Sequence, residues 1–185
     1  MSVARMALRV LVGGLFVGHG MQKLKGWFGG SGLEGTDRMM AAVGLHPVRR
    51  NSIAAGTTEA VGGAMLAAGL GTPVAAAGLI ATMTTAVRKV HIKNGPWNGN
   101  GGWEYNAILI GVLTVLAAEG PGAFSLDRLL HMTRSGALWG LFALGGGAAA
   151  SAAVVEMGRR NTPQADMDEG GRQQAGEEPS NDVGA

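Results

Sequence analysis

Cysteine is missing altogether from this 185-residue chain. That excludes disulfides, thiol catalysis, cysteine-ligated zinc and iron–sulfur clusters held by the chain alone. Any redox role must therefore run through a bound cofactor or a partner. Aromatic residues make up only 5% of the sequence and charged residues 15%, which argues against a large aromatic core beneath a well-hydrated surface. Long basic runs are lacking too, since Lys and Arg stand in ones and twos at the ends of apolar segments. A nucleic-acid binder would gather them on one face, so nucleic acid is not an expected partner.

What fills the chain is 46% hydrophobic residues and 33 glycines, with a mean hydropathy of +0.18. Small residues at this density let helices approach closely inside a bilayer, and the fold class expected is an all-α integral membrane bundle. Small-xxx-small pairs such as Gly14 with Gly18 and Gly136 with Gly140 are the expected points of close packing. Five apolar segments read as spans: 6–21, 52–71, 74–90, 106–118 and 135–157. The first is short for a hydrocarbon core that needs about 20 residues, and it crosses only if Arg5 and Arg9 reach out to the headgroups. It has no small-residue cleavage site, so it reads as an uncleaved span and not a signal peptide. A short helix is expected at 35–43 in the polar loop 22–51, and another at 126–132 with Ser125 as its N-cap. Trp97, Trp103 and Tyr105, in a Gly- and Asn-rich loop, fit an interfacial aromatic belt. From 158 onward large apolar residues almost vanish, and such a composition cannot offset its ordering entropy. The division expected is a transmembrane bundle over 1–157 and a disordered polar tail over 158–185.

A charge at membrane depth costs at least about 2.5 kcal/mol, so each one needs a reason to be there. Glu59 lies well inside the second span and should face the bundle interior, protonated or paired with a base. A ligand-binding or proton-linked carboxylate and a buried structural pair are both open readings. His19 and Lys23 are four residues apart, share a helix face and could supply the partner. Arg88 and His91, spaced by three, should share another face, and with Glu104 and Tyr105 they could form an anion or quinone-headgroup pocket. A basic interfacial collar is the alternative. The candidate ligand-binding set is thus His19, Lys23, Glu59, Arg88, His91, Glu104 and Tyr105, converging near one end of the bundle. No further ligand at a diagnostic spacing accompanies the two histidines, so no metal site is expected.

Taken in order, Phe16-Val-Gly-His-Gly-Met-Gln-Lys-Leu-Lys-Gly26, Glu59 with Gly62-Gly63, His91, Glu104-Tyr-Asn106 and Gly120-Pro-Gly-Ala-Phe-Ser-Leu-Asp127 resemble the DoxX family of small membrane proteins over roughly 5–128. The resemblance implies a four-helix membrane bundle, to which this chain adds a fifth C-terminal segment and an acidic tail. It also implies a non-catalytic or co-catalytic subunit of a quinone- or sulfur-linked oxidoreductase or oxidative-stress complex. Quinone is then the cofactor to expect, and the lipid bilayer and soluble redox proteins are the partners. Family members have been linked to terminal quinol oxidase and thiosulfate:quinone oxidoreductase subunits, and in actinobacteria to a complex with superoxide dismutase and a sulfurtransferase. A proton-coupled small-solute transporter and a purely structural anchor remain the alternatives. Location in the cell inner (plasma) membrane is expected, with the N-terminus outside and the tail cytoplasmic by the distribution of basic residues.

Overall fold

The structure is a computed structural model and describes residues 2–162. Its helices are α1 (Ser2–Lys25), α2 (Gly32–Ala42), α3 (Val48–Ala68), α4 (Thr72–Ala86), α5 (Glu104–Glu119), α6 (Leu126–Leu129) and α7 (Ala137–Arg160). No strand occurs among the described residues. α4 runs on without a break into a π-helical turn, Val87–His91. Ser125 caps α6 as its side chain accepts from Arg128 N–H at 3.2 Å. α1 runs past the expected 6–21 segment at both ends, and α3 starts earlier than 52 because Pro47, fixed near φ −68°, sets its first turn. α7 includes Gly158–Arg160, which had been assigned to the tail, and the remainder from 163 on lies outside the described residues.

Five long helices build the bundle. α1 lies antiparallel against α3, α3 turns back into α4, and α4 packs on both α5 and α7. Leu66, Leu79, Ile80, Leu113, Leu116 and Ala143 meet in the interior and are almost completely buried. Between α1 and α3 the contact is backbone on backbone. A methyl group added at Gly13 would collide with Gly63 O and Ala67 N, and one at Gly63 would stand 2.6 Å from Gly13 O. Gly20 meets Gly56 O and Ala60 in the same way, one stretch further along. Gly14 and Gly18 are not the packing points that their spacing suggested, since the space around them is open. The seam uses residues seven apart, two full turns, so it follows Gly13 and Gly20 and leaves the four-residue pair on the outer side. Gly140 presses on Ala118, whereas a Cβ added at Gly136 would meet nothing, although its N–H donates to Ala118 O at 2.7 Å.

One end of the bundle is tied shut by polar groups. Arg9 does not reach toward headgroups as the sequence suggested. It is only 1% exposed, and its guanidinium donates to Phe124 O at 2.6 Å and Leu66 O at 3.5 Å. The carbonyls at the end of α3 attract a cation, and the loop after α5 folds over the helix ends to supply the other acceptor. Asp127, in the same loop, is fully buried and accepts from Gly71 N–H at 2.8 Å and Thr72 N–H at 3.3 Å, the start of α4. A carboxylate there complements the positive end of the helix dipole. Gly69 sits between them at φ +68°, where an added Cβ would strike the Arg9 guanidinium and stand 2.5 Å from Ser125 Cβ. Arg5 closes the rim by pairing with Glu119 at 2.9 Å.

Candidate functional site

The opposite end is open. There α1, α3, α4, α5 and α7 surround a cavity of about 650 Å³, with the end of α2 on one side. That volume falls within the roughly 300–1,000 Å³ typical of ligand sites. Helical register explains which side chains reach it. Val12, Phe16, His19 and Lys23 form one stripe along α1, and Asn51, Ala55 and Glu59 form another along α3. Gly78, Thr82, Thr85 and Lys89 come from α4 and its π-turn, and Tyr105, Asn106 and Leu109 from α5. Apolar groups therefore line the deep part, and polar groups gather toward the mouth.

Lys23 Nζ donates to Glu59 Oε2 at 2.6 Å across the α1–α3 seam. The Glu59 side chain is 4% exposed and that of Lys23 25%, so the carboxylate is the inner member of the pair. The close approach that joins them comes from Gly20, Gly56 and Ala60, whose small size lets the helices touch.

Both histidines are held by one ring nitrogen. His19 Nδ1 lies 3.0 Å from Gln22 Oε1, and the Gln22 amide donates in turn to Phe28 O at 3.3 Å. His91 Nδ1 donates to Gly101 O at 2.7 Å, and Asn94 Nδ2 donates to the same carbonyl at 3.1 Å. Because both acceptors are carbonyl oxygens, each ring holds its contact with a proton on Nδ1, and Nε2 is left for other partners.

Five of the seven candidate residues line the cavity: His19, Lys23, Glu59, His91 and Tyr105. Arg88 is exposed and outside the lining. Its spacing of three from His91 would return to one face in an α-helix, but in a π-turn hydrogen bonds run i to i+5 and three residues fall well short of a turn. Glu104 is also outside the lining. Its Oε1 accepts from Asn98 N–H at 2.7 Å, so it fastens the aromatic loop to the start of α5.

Asn51, Lys89 and Asn106 line the cavity without having been anticipated from the sequence. Asn51 could have been found from its place two turns before Glu59, and Asn106 from the Glu104-Tyr-Asn segment. Asn106 is mostly buried and donates to Met83 Sδ at 3.5 Å. Lys89 carries no such signal, because only the π-turn brings it to the cavity.

At the outer edge of the same end, Arg49 Nη1 donates to Asp37 Oδ2 at 2.6 Å and ties α3 to α2. The Ser52 hydroxyl and then the Arg49 guanidinium hold the Asp37 carboxyl below the usual carboxylate range. No group of three or more His, Asp or Glu residues is placed to hold a metal among the described residues.

The family model for DoxX matches residues 4–92. A Bacillus subtilis (strain 168) protein named "Putative oxidoreductase CatD" is 30% identical over 126 residues, covering 68% of this chain and 86% of the relative. The chain belongs to the DoxX family. No solved structure matches it. DoxX proteins are membrane-associated, and α1 and α7 are each long and apolar enough to cross a membrane. The DoxX match takes in α1 to α4 together with His91. The Lys23–Glu59 pair therefore lies in the family region, while Tyr105 and Asn106 come from the helix beyond it.

Proposed function

We propose that this DoxX protein is a multi-pass subunit of a redox complex in the cell inner membrane, and that its open-end cavity holds a quinone-like headgroup. The observation that carries this reading is the buried Lys23–Glu59 pair, set in the wall of a cavity that is otherwise mostly apolar. A charged pair is costly to bury, and here it neutralises itself while keeping a lysine at the cavity surface. The two imidazole Nε2 atoms, Tyr105 and Asn106 add hydrogen-bonding groups near the mouth. Such a site suits a flat polar head with an apolar body, because hydrogen-bonding groups stand among mostly apolar walls. The oxidoreductase name of the Bacillus subtilis relative supports the redox setting. Quinone would supply electron transfer when bound, while this chain's own residues bind, orient and hydrogen-bond its oxygens.

The membrane reading also draws on the outer surface. Leu8, Leu11 and Leu15 of α1, Ile108 and Val115 of α5, and Leu138 and Leu141 of α7 all face outward, an apolar exterior that water would not favour. The regions 22–51, 88–105 and 158–185 together contain eleven Lys and Arg, against four in the N-terminal residues and 119–134, which favours the first set inside. A C-terminal reporter that fluoresces only outside the cytoplasm should stay dark.

The direct test is purification in mild detergent, solvent extraction and mass spectrometry of lipophilic cofactors. A quinone should co-purify with the native chain and be largely lost from Glu59→Gln/His91→Ala. A quinone-free preparation that also fails to bind added quinone refutes the reading. Counterflow of a labelled solute in proteoliposomes would favour a permease instead.

A further inference from the structure

A second depression, about 260 Å³, lies between α3 and α4. It is lined by Thr57, Val61, Gly62, Met65, Val74 and Ala75, and at its inner end by Thr58 and Gly78. Thr58 and Gly78 also line the main cavity, so the two spaces meet across this one pair. Gly78 makes the junction low: a Cβ there would stand 3.2 Å from the Thr58 methyl, and any longer side chain would rise into the passage. Val61 and Val74 are half exposed at the outer end of the groove, on the surface where the proposed function puts lipid.

We propose that the groove holds the apolar tail of the ligand whose head occupies the main cavity, with the tail passing over the Thr58–Gly78 sill. This rests on the functional reading above and narrows it, because it selects a tailed amphiphile over a small free anion. Volume supports the division. At about 260 Å³ the groove is below the roughly 300–1,000 Å³ of a site for a whole ligand, and apart from the hydroxyls of Thr57 and Thr58 its side chains offer only methyl, methylene and thioether groups. Continuity supports it further, since the groove meets the cavity on the apolar side, away from the His91 and Tyr105 mouth. A head anchored near Glu59 leaves its substituent close to Thr58, one residue away on the same helix. The groove also provides a way in from the bilayer, so the ligand need not pass through water.

The test compares a decyl-substituted dimethoxy-methyl-benzoquinone with its tail-less parent, each titrated by tryptophan fluorescence quenching against the native chain, Gly78→Leu and Val61→Phe in one detergent. The ratio of variant to native Kd for each ligand cancels partitioning into the micelle. The expected result is at least a tenfold rise in Kd for the decyl compound in Gly78→Leu, with the tail-less parent changed by less than twofold. Val61→Phe, at a half-exposed site with no core packing, fills the groove from its outer end and should show the same selectivity even if Gly78→Leu folds poorly. Equal loss for both ligands, or no loss for either, overturns the tail groove while leaving the headgroup site standing. Failure of both ligands to bind the native chain overturns the functional reading and the groove with it.

Discussion

Replacing Lys23 by Met isolates the energetics of the site. The variant leaves the Glu59 carboxylate behind a wall of helix with its ion-pair partner gone, since the Glu59 side chain is 4% exposed and the ammonium that it lost stood at 2.6 Å. Breaking a buried pair in this way costs about 3–5 kcal/mol. At about 2–4 °C per kcal/mol for a chain of this size, the melting temperature in detergent should drop by about 6–20 °C. Glu59→Gln is the milder change. Lys23 is a quarter exposed and can turn its ammonium to the cavity mouth, so the loss is nearer the about 1 kcal/mol of one hydrogen bond. Lys23→Met combined with Glu59→Leu should regain most of the stability, as apolar replacements of buried pairs do. Thermal melts followed by circular dichroism measure all three. A Lys23→Met melt within 2 °C of native would refute the reasoning.

The α1–α3 seam should tolerate no side chain. Gly63→Val puts branched carbon where Gly13 O already stands within 2.6 Å, and monodisperse protein should be lost on size-exclusion chromatography, whereas Gly14→Val, in open space, should behave as native. At the closed end, Asp127→Ala strips two N–H groups of their acceptor and removes the charge facing Arg9, a loss of about 3 kcal/mol that a shift of about 6–12 °C in the melt would report. Asp37 gives a pH signature. Its depressed carboxyl means that its contribution is complete above the ordinary value near 4 and disappears as pH falls through the lower folded value. In Arg49→Gln the Asp37 carboxyl carbon should titrate at higher pH by NMR, and an unchanged curve would remove Arg49 from the account.

The long helices were readable because apolar runs of that length have few other uses in a chain so poor in charge. Pairing of Glu59 with Lys23 was readable for a related reason, as a carboxylate at that depth has to be answered by a base within reach. Arg9 was misread because an arginine inside the start of an apolar run looks like a headgroup anchor. Nothing local to it reveals that the loop at 120–127 will fold across the helix ends and offer Phe124 O. Gly14 and Gly18 misled because four-residue spacing fixes a stripe but not the side of the helix that meets a neighbour. Arg88 was misplaced by one assumption, that α4 stays α-helical as far as His91. Asp127, named only as part of a motif, had no local pattern to mark it as a ligand of the distant α4 N-terminus.

The closed end has a mechanical consequence. With Arg9, Gly69 and Asp127 fastening the α3–α4 turn, the angle between the two helices at that joint sets how far apart they stand at the other end. Glu59 lies ten residues from Gly69, roughly 15 Å along the helix. A swing of about 5° would move it by roughly 1 Å, enough to make or break a hydrogen bond to anything standing in the cavity. The width of the site is therefore set at a distance, by groups that never touch what it holds.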